Sequence, residues 1–249
     1  MSTFYHVGMN YENQCSVRQL KKYVFWDTWQ IAQKDIQAFD RWLWPSKCEL
    51  CQSNAEQWQF ACLCCACWSH VYHPNPPARF KRGTLLLSAQ DYTSFWRKHL
   101  ILAKFKQNLS SYEILYHAIM LSLGAVKRFD PDGIVLVPSH TFRSVVRGGN
   151  MLLHFAHVMS EALQVPILDK ALLRIRNTPR QSKIIGKAAR RANVQGAFEA
   201  SPEVSQKKIL LIDDVCTTGA TLRSGVAALK AQSPKQVVCY SILRSPLEV

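Results

Sequence analysis

Two adjacent carboxylates, Asp213 and Asp214, close an apolar run at Ile209 to Ile212, and small and hydroxylated residues follow at Thr217, Thr218, Gly219, Ala220 and Thr221. Ionised carboxylates only accept hydrogen bonds, which suits a sugar diol or a metal held through water. Threonine hydroxyls, with the free backbone N–H groups that open a helix, suit an anion, most often phosphate. Gly219 lets the backbone approach that phosphate closely. Sugar acceptors beside a phosphate cradle describe a site for a ribose 5-phosphate group. The alternative is a strand end whose aspartates merely cap the helix; two adjacent aspartates with three threonines around a glycine favour the ligand site. No lysine follows Gly219, so this is not a Walker loop.

A second group of chemistry-bearing residues lies upstream. Six of the nine cysteines fall between Cys48 and Cys67. Cys48 and Cys51 form one C-x2-C knuckle, and Cys62, Cys64, Cys65 and Cys67 offer two overlapping ones. Each knuckle puts two thiolates on one turn, and two knuckles complete a tetrahedral zinc site. The favoured ligands are Cys48, Cys51, Cys64 and Cys67, with Cys62 and Cys65 as alternatives. Four thiolates leave no open position for substrate, so the expected role is structural, with contact to nucleic acid as a second possibility. His70 and His73, next to Pro74, read as surface groups.

The formal net charge is +14, from 31 Lys and Arg against 17 Asp and Glu. Such an excess favours polyanions: nucleic acid, phosphorylated ligands or an anionic membrane face. The stretch from 174 to 196 is strongly basic, with Arg174, Arg176, Arg180, Lys183, Lys187, Arg190 and Arg191. Trp58, Trp68 and Trp96 read as exposed aromatics able to stack on bases, although core packing is the commoner fate of any one of them. The N-terminus has no basic start followed by an apolar run. No stretch approaches the roughly 20 apolar residues of a membrane span. A cytoplasmic protein is expected, and clustered cysteines in a reducing compartment point to zinc.

The elements that must position these residues follow from periodicity. Residues 1–44 read as a helical N-terminal extension, 45–77 as the zinc-knuckle module with a proline-marked linker, and 78–249 as an α/β domain. An edge strand is expected at Leu85 to Leu87, and a helical or partly extended segment at Tyr92 to Phe105. An amphipathic helix follows over 111–126. Strands are expected at Ile134 to Val137, Val165 to Leu168, 208–212 and Val237 to Leu243, and helices at Arg143 to Leu163 and about 220–232. Strand–helix–strand alternation implies a parallel twisted sheet with flanking helices. Ligands then sit beyond the carboxyl ends of strands, where Asp213 and Asp214 are expected.

LLIDDVCTTGATL resembles the phosphoribosyl-pyrophosphate (PRPP) motif of type I phosphoribosyltransferases. Arg174, Thr178, Gln181, Arg190, Asn193, Ala197 and Phe198 resemble, at the same spacing, the pattern of the ComF family of competence-associated proteins. So do the cysteine knuckles, the K-F-K at Lys104 to Lys106, Val137–Pro138, and R-G-x-N at Arg147 to Asn150. Gly149 and Met151 stand where the family usually carries an aromatic residue and a glutamine. The resemblance implies that Asp213 and Asp214 are catalytic and face the ribose hydroxyls. It implies that Thr217, Thr218, Gly219, Ala220 and Thr221 hold the 5-phosphate, and that Ser139, His140 and Thr141 receive the pyrophosphate. Mg²⁺ would accompany PRPP, and the segment from Arg174 to Asn193 would be a hood over the site. It also implies a role in natural transformation at the inner face of the cytoplasmic membrane, with a DNA-uptake helicase or channel protein as partner. Single-stranded DNA would then follow Arg143, Arg147, Arg174, Arg176, Arg180, Lys183, Arg190 and Arg191. An active phosphoribosyltransferase, acting on a nucleobase or amine, is the alternative.

Overall fold

Alternate residues of each long strand enter opposite hydrophobic clusters, so the sheet needs cover on both faces. A computed structural model of the chain describes residues 47–53, 62–80, 83–138, 151–175 and 196–245. In strand β6, defined below, Leu210 and Ile212 join one cluster, while Ile209 and Leu211 join the other. Every one of these four side chains is at most 1% exposed.

The described elements run in the order α1 (Cys65–Val71), β1 (Ala78–Arg79), β2 (Leu85–Asp91), α2 (Ser94–Lys106), α3 (Leu109–Phe129), β3 (Gly133–Leu136), α4 (Met151–Leu163), β4 (Leu172–Arg174) and β5 (Phe198–Ala200). A short 3-10 turn at Pro202–Val204 leads into β6 (Lys208–Cys216), α5 (Ala220–Lys230) and β7 (Gln236–Arg244). The main sheet has the order β1-β2-β7-β6-β3. Three pairings place β2, β7, β6 and β3 parallel, and β1 alone runs antiparallel in this sheet. Helices α2, α3 and α4 cover one face with the cysteine segment. Helix α5 and the small antiparallel β4–β5 pair cover the other.

Several sequence expectations change in detail. Leu85 to Leu87 are not an edge strand, because β2 is seven residues long and lies between β1 and β7. Only a single parallel bridge, Ile134 to Ile167, stands where a strand was expected at Val165 to Leu168. Helix α2 is wholly helical: the Thr93 side chain accepts from the Trp96 N–H at its start, and Gln107 ends it in the left-handed region. Helix α3 reaches 21 residues, begun by the Asn108 side chain accepting from the Ser111 N–H and stopped at Asp130 with φ 53°. At a mean hydropathy of 1.2 it is long and apolar enough to cross a membrane by length and composition. That differs from the expectation of no such stretch. Its apolar residues are spent on the core, with Ile114, Leu115, Ala118 and Ile119 at most 1% exposed.

Trp68 and Trp96 are also buried, at 5% and 1% exposure, and pack edge to face with centroids 6.1 Å apart. They are core residues and offer no stacking surface, which corrects that part of the expected track. The Trp96 indole donates to the Val71 carbonyl at 3.0 Å, tying the cysteine segment to α2. The proline linker is pinned in place by sheet residues. The Gln90 side-chain amide donates to the His73 carbonyl at 3.0 Å, and Arg244 donates to the Pro76 carbonyl at 3.0 Å. The extension at 1–44 and Trp58 lie outside the described residues.

Candidate functional site

The acidic pair sits within β6, past the point where β3 stops. Pairing with β3 ends at Leu136 against Ile212, whereas pairing with β7 continues through Asp213–Ser241 to Cys216–Arg244. One side of β6 is therefore held by β7 while the other is released at the carboxyl edge of the sheet. The expected strand, 208–212, was too short because aspartates disfavour strands by propensity; β7 overrides that preference with four more residues of ladder. Asp213 and Asp214 are both half-buried.

Consecutive strand residues point to opposite faces, and the two carboxylates meet different partners. The Lys104 ammonium on the last turn of α2 pairs with Asp214. Asp213 accepts from the Asp214 N–H at 2.9 Å, and Asp214 accepts from the Val215 N–H at 2.8 Å. Burial first, and the neighbouring Asp214 charge second, push the Asp213 carboxyl well above the ordinary carboxylate range, with Lys104 acting in the other direction. Two unneutralised carboxylates side by side repel, so the site favours a proton, a cation or hydroxyl donors there.

The phosphate cradle follows at once. Asp213, Val215, Cys216, Thr217, Gly219, Ala220, Thr221 and Leu222 line one small recess. Gly219 caps α5 with φ 68° and ψ 11°, a conformation that side chains rarely adopt. A Cβ there would lie 2.5 Å from Cε1 of Phe80, so both φ and the close approach require glycine. The Arg223 guanidinium lies over the same Phe80 ring at 5.4 Å. Thr218 accepts from the Ala220 N–H at 3.4 Å across the turn.

Of the basic set, Arg174 is described. It ends β4 opposite Phe198 of β5, with its guanidinium 5.2 Å over the Phe198 ring. Burial lowers its pKa from the ordinary value, and the Asp213 charge opposes that fall, which places Arg174 in the field of the acidic pair. Strands β4 and β5 thus anchor both ends of the basic stretch beside the site. Ser139, His140, Thr141, Arg143, Arg147, Arg176, Arg180, Lys183, Lys187, Arg190 and Arg191 lie outside the described residues. Sequence reading assigned no site role to Lys104; its family motif K-F-K was noted, but only the fold carries α2 to β6. Phe80 carried no signal at all.

The cysteine centre is compact. The sulfur atoms of Cys48, Cys51, Cys64 and Cys67 lie within 4.8 Å of one another. Tetrahedral zinc with Zn–S bonds of about 2.3 Å needs sulfurs about 3.8 Å apart, and Cys51 and Cys64 are at 3.6 Å. The Cys64 N–H donates to the Cys48 sulfur at 3.4 Å. The Ser53 hydroxyl and N–H lower the Cys51 thiol to about 6, favouring the thiolate that a metal needs. Four thiolates in this arrangement can hold a metal such as zinc. Cys62 stands outside the cluster: burial pushes its thiol far up, and its S–H points to the Ser110 carbonyl at 3.7 Å. Cys65 is exposed on α1 and outside the cluster.

The strand–cradle–helix unit, with acids at the strand end of a parallel sheet, defines a phosphoribosyltransferase-type domain. Residues 147–247 match the phosphoribosyl transferase domain family. Over 118 residues the chain is 29% identical to Competence protein F of Haemophilus influenzae, covering 46% of this chain and 51% of that protein. The chain therefore spans about half the length of that relative. The chain is thus similar to a competence protein and carries a phosphoribosyl transferase domain over residues 147–247. Among solved structures, the purine phosphoribosyltransferase of Pyrococcus horikoshii Ot3 is 16% identical, with a TM-score of 0.32 over 63% of this chain and 88% of its own. The orotate phosphoribosyltransferase of Aeropyrum pernix is 14% identical, with a TM-score of 0.35 over 72% and 78%. Overlays this loose transfer no residue roles.

Proposed function

We propose that the protein handles incoming single-stranded DNA in natural transformation, using a domain that binds PRPP or a related ribose phosphate. The observation that carries the ligand is the recess itself: Asp213 of the acidic pair and a glycine-capped helix start line one cavity within ten residues. Asp213 and Asp214 accept the ribose hydroxyls, and residues Thr217 to Thr221 hold the 5-phosphate with N–H and hydroxyl donors. Mg²⁺ fits this donor set because paired carboxylates and ligand oxygens suit a hard cation; it would neutralise the ligand's phosphates. Ser139, His140 and Thr141 take the pyrophosphate end in this reading. The DNA role is supported by the similarity to Competence protein F and by the net charge of +14. Arg143, Arg147, Arg174, Arg176, Arg180, Lys183, Arg190 and Arg191 form its basic track.

Zinc is the proposed metal of the cysteine centre, with a structural role, since four thiolates leave it closed. The protein is assigned to the cytoplasm, at the inner face of the membrane, alongside an uptake helicase or channel.

A phosphoribosyltransferase activity is the second reading, favoured by Asp213, whose carboxyl lines the same recess as the glycine-capped helix start. Displacement at ribose C1 builds positive charge on the sugar, and the acidic pair would stabilise it. The deciding experiment pairs two measurements on Asp213→Ala/Asp214→Ala. Transformation and protein level are measured together, and PRPP binding is measured by calorimetry. Loss of PRPP binding with normal transformation would separate the ligand from the biology. Pyrophosphate release with a panel of bases tests turnover.

A further inference from the structure

Helix α2 presents an outer stripe that the core does not use. Phe105 is 69% exposed, and Ile101, one turn earlier, is 37% exposed. Arg97, Lys98, Lys104 and Lys106 are exposed on the same helix, which contains no acidic residue. Helical spacing stacks Lys98, Ile101 and Phe105 in one stripe with Arg97 and Lys104 beside it. An aromatic ring left this open gains almost nothing from folding. The Lys104 ammonium lies 5.9 Å from the centroid of the Phe105 ring and also pairs with Asp214. One cation thus joins the exposed ring to the acidic pair.

We propose that this face of α2 binds single-stranded nucleic acid, with Phe105 as a base-stacking platform at the rim of the ribose–phosphate site. The occupant follows from the chemistry of the face. An exposed ring on a helix that carries four cations and no acidic residue of its own suits a chain that alternates bases with phosphates. A membrane-lying helix needs a broad apolar face, and α2 exposes only two apolar side chains outward. Protein interfaces are depleted of lysine at their centres, and three lysines stand here. The assignment rests on the single-strand reading above, but adds a surface distinct from the basic stretch after Arg174.

The test uses the full chain and a fluorescent oligo-dT, with anisotropy read against salt. Phe105→Ala is expected to weaken binding about tenfold or more, the usual cost of losing one stacking ring. Phe105→Trp is expected to retain wild-type affinity, and Phe105→Leu to behave like alanine. Lys98→Gln with Lys106→Gln should flatten the salt dependence by roughly 0.7 per lost phosphate contact. Calorimetric PRPP binding should stay unchanged in Phe105→Ala, because the ring is not part of the cradle. If wild type binds no oligonucleotide, the single-strand reading fails and this one with it. If wild type binds and Phe105→Ala binds equally well, or Phe105→Leu matches Phe105→Trp, this surface alone is overturned. The same holds if Phe105→Ala instead loses binding to phosphatidylglycerol vesicles while keeping the oligonucleotide.

Discussion

Lys104, on the last turn of α2, forms an ion pair with Asp214 of β6, across 110 positions of sequence. The lysine side chain is 44% exposed and the aspartate 21%. An ion pair this open contributes at most about 1 kcal/mol to stability. Its consequence falls on the ligand. Without Lys104 the acidic pair presents its full charge to an incoming phosphate ester. Lys104→Met should therefore leave the melting temperature nearly unchanged and weaken PRPP binding roughly ten- to thirtyfold, the scale of one charge several ångströms away. Calorimetry decides; tighter binding would mean that Lys104 competes with the ribose for Asp214.

Gly219 is the most constrained position in the cradle. With φ at 68° and Phe80 2.5 Å from any added Cβ, Gly219→Ala should cost about 1–3 kcal/mol. It should also displace the turn enough to abolish PRPP binding. Chemical denaturation and calorimetry on the same variant give both numbers. A stable variant with normal ligand affinity would show that the turn relaxes without effect.

The described cysteines separate into a cluster of four and others that lie outside it. Cys64→Ser is expected to drop zinc content from one ion per chain to none and to lower the melting temperature, because structural metal binding is coupled to folding. Cys65→Ser should keep the metal. Cys62→Ser should keep it too, while losing stability through a buried hydroxyl in an apolar pocket. Elemental analysis of purified variants checks all three.

Buried ionisable groups around α3 make stability depend on pH in opposing directions. Burial raises Glu113 from 4.5 to about 7. The folded state then holds a proton that the unfolded chain has lost, so this contribution is complete below about 4.5 and disappears as pH rises through 7. Glu113→Gln should be more stable than wild type at pH 8, by about 3 kcal/mol at most, and equal to it at pH 4.

Burial lowers His99, with the Lys98 charge adding to it, and lowers His117 and His154, each to about 4. These imidazoles stay neutral when folded, so stability is lost as pH falls from 6.5 toward 4. The His99 ring lies 3.0 Å from the Ser111 hydroxyl in the core. His99→Gln should lessen the acid sensitivity seen in thermal melts between pH 7 and 4.5.

Much of the site was legible because its chemistry is local. Asp213, Asp214, Gly219 and the threonines stand within nine residues, and a strand, a turn and a helix start suffice to bring them together. The apolar runs at 134–137 and 208–212 likewise announced parallel strands by their composition alone. The full length of β6 was not legible, since only pairing with β7 carries the ladder through two aspartates. Neither was the β4–β5 pair, whose three-residue strands are too short to show a period.

Composition and spacing alone pointed to a ligand chemistry: acceptors suited to a sugar, donors suited to a phosphate, thiolates suited to a metal. These depend on residue type and on neighbours a few positions away. Tertiary structure decided which cysteines stand together, because overlapping C-x2-C pairs are equivalent until the chain folds and Cys62 turns into the core. It also buried Trp68 and Trp96 while leaving Phe105 in solvent, a division set by which helix face meets the sheet. And it brought Lys104 to Asp214, since only a packed α/β layer holds a helix end against the carboxyl edge of a strand so distant in sequence.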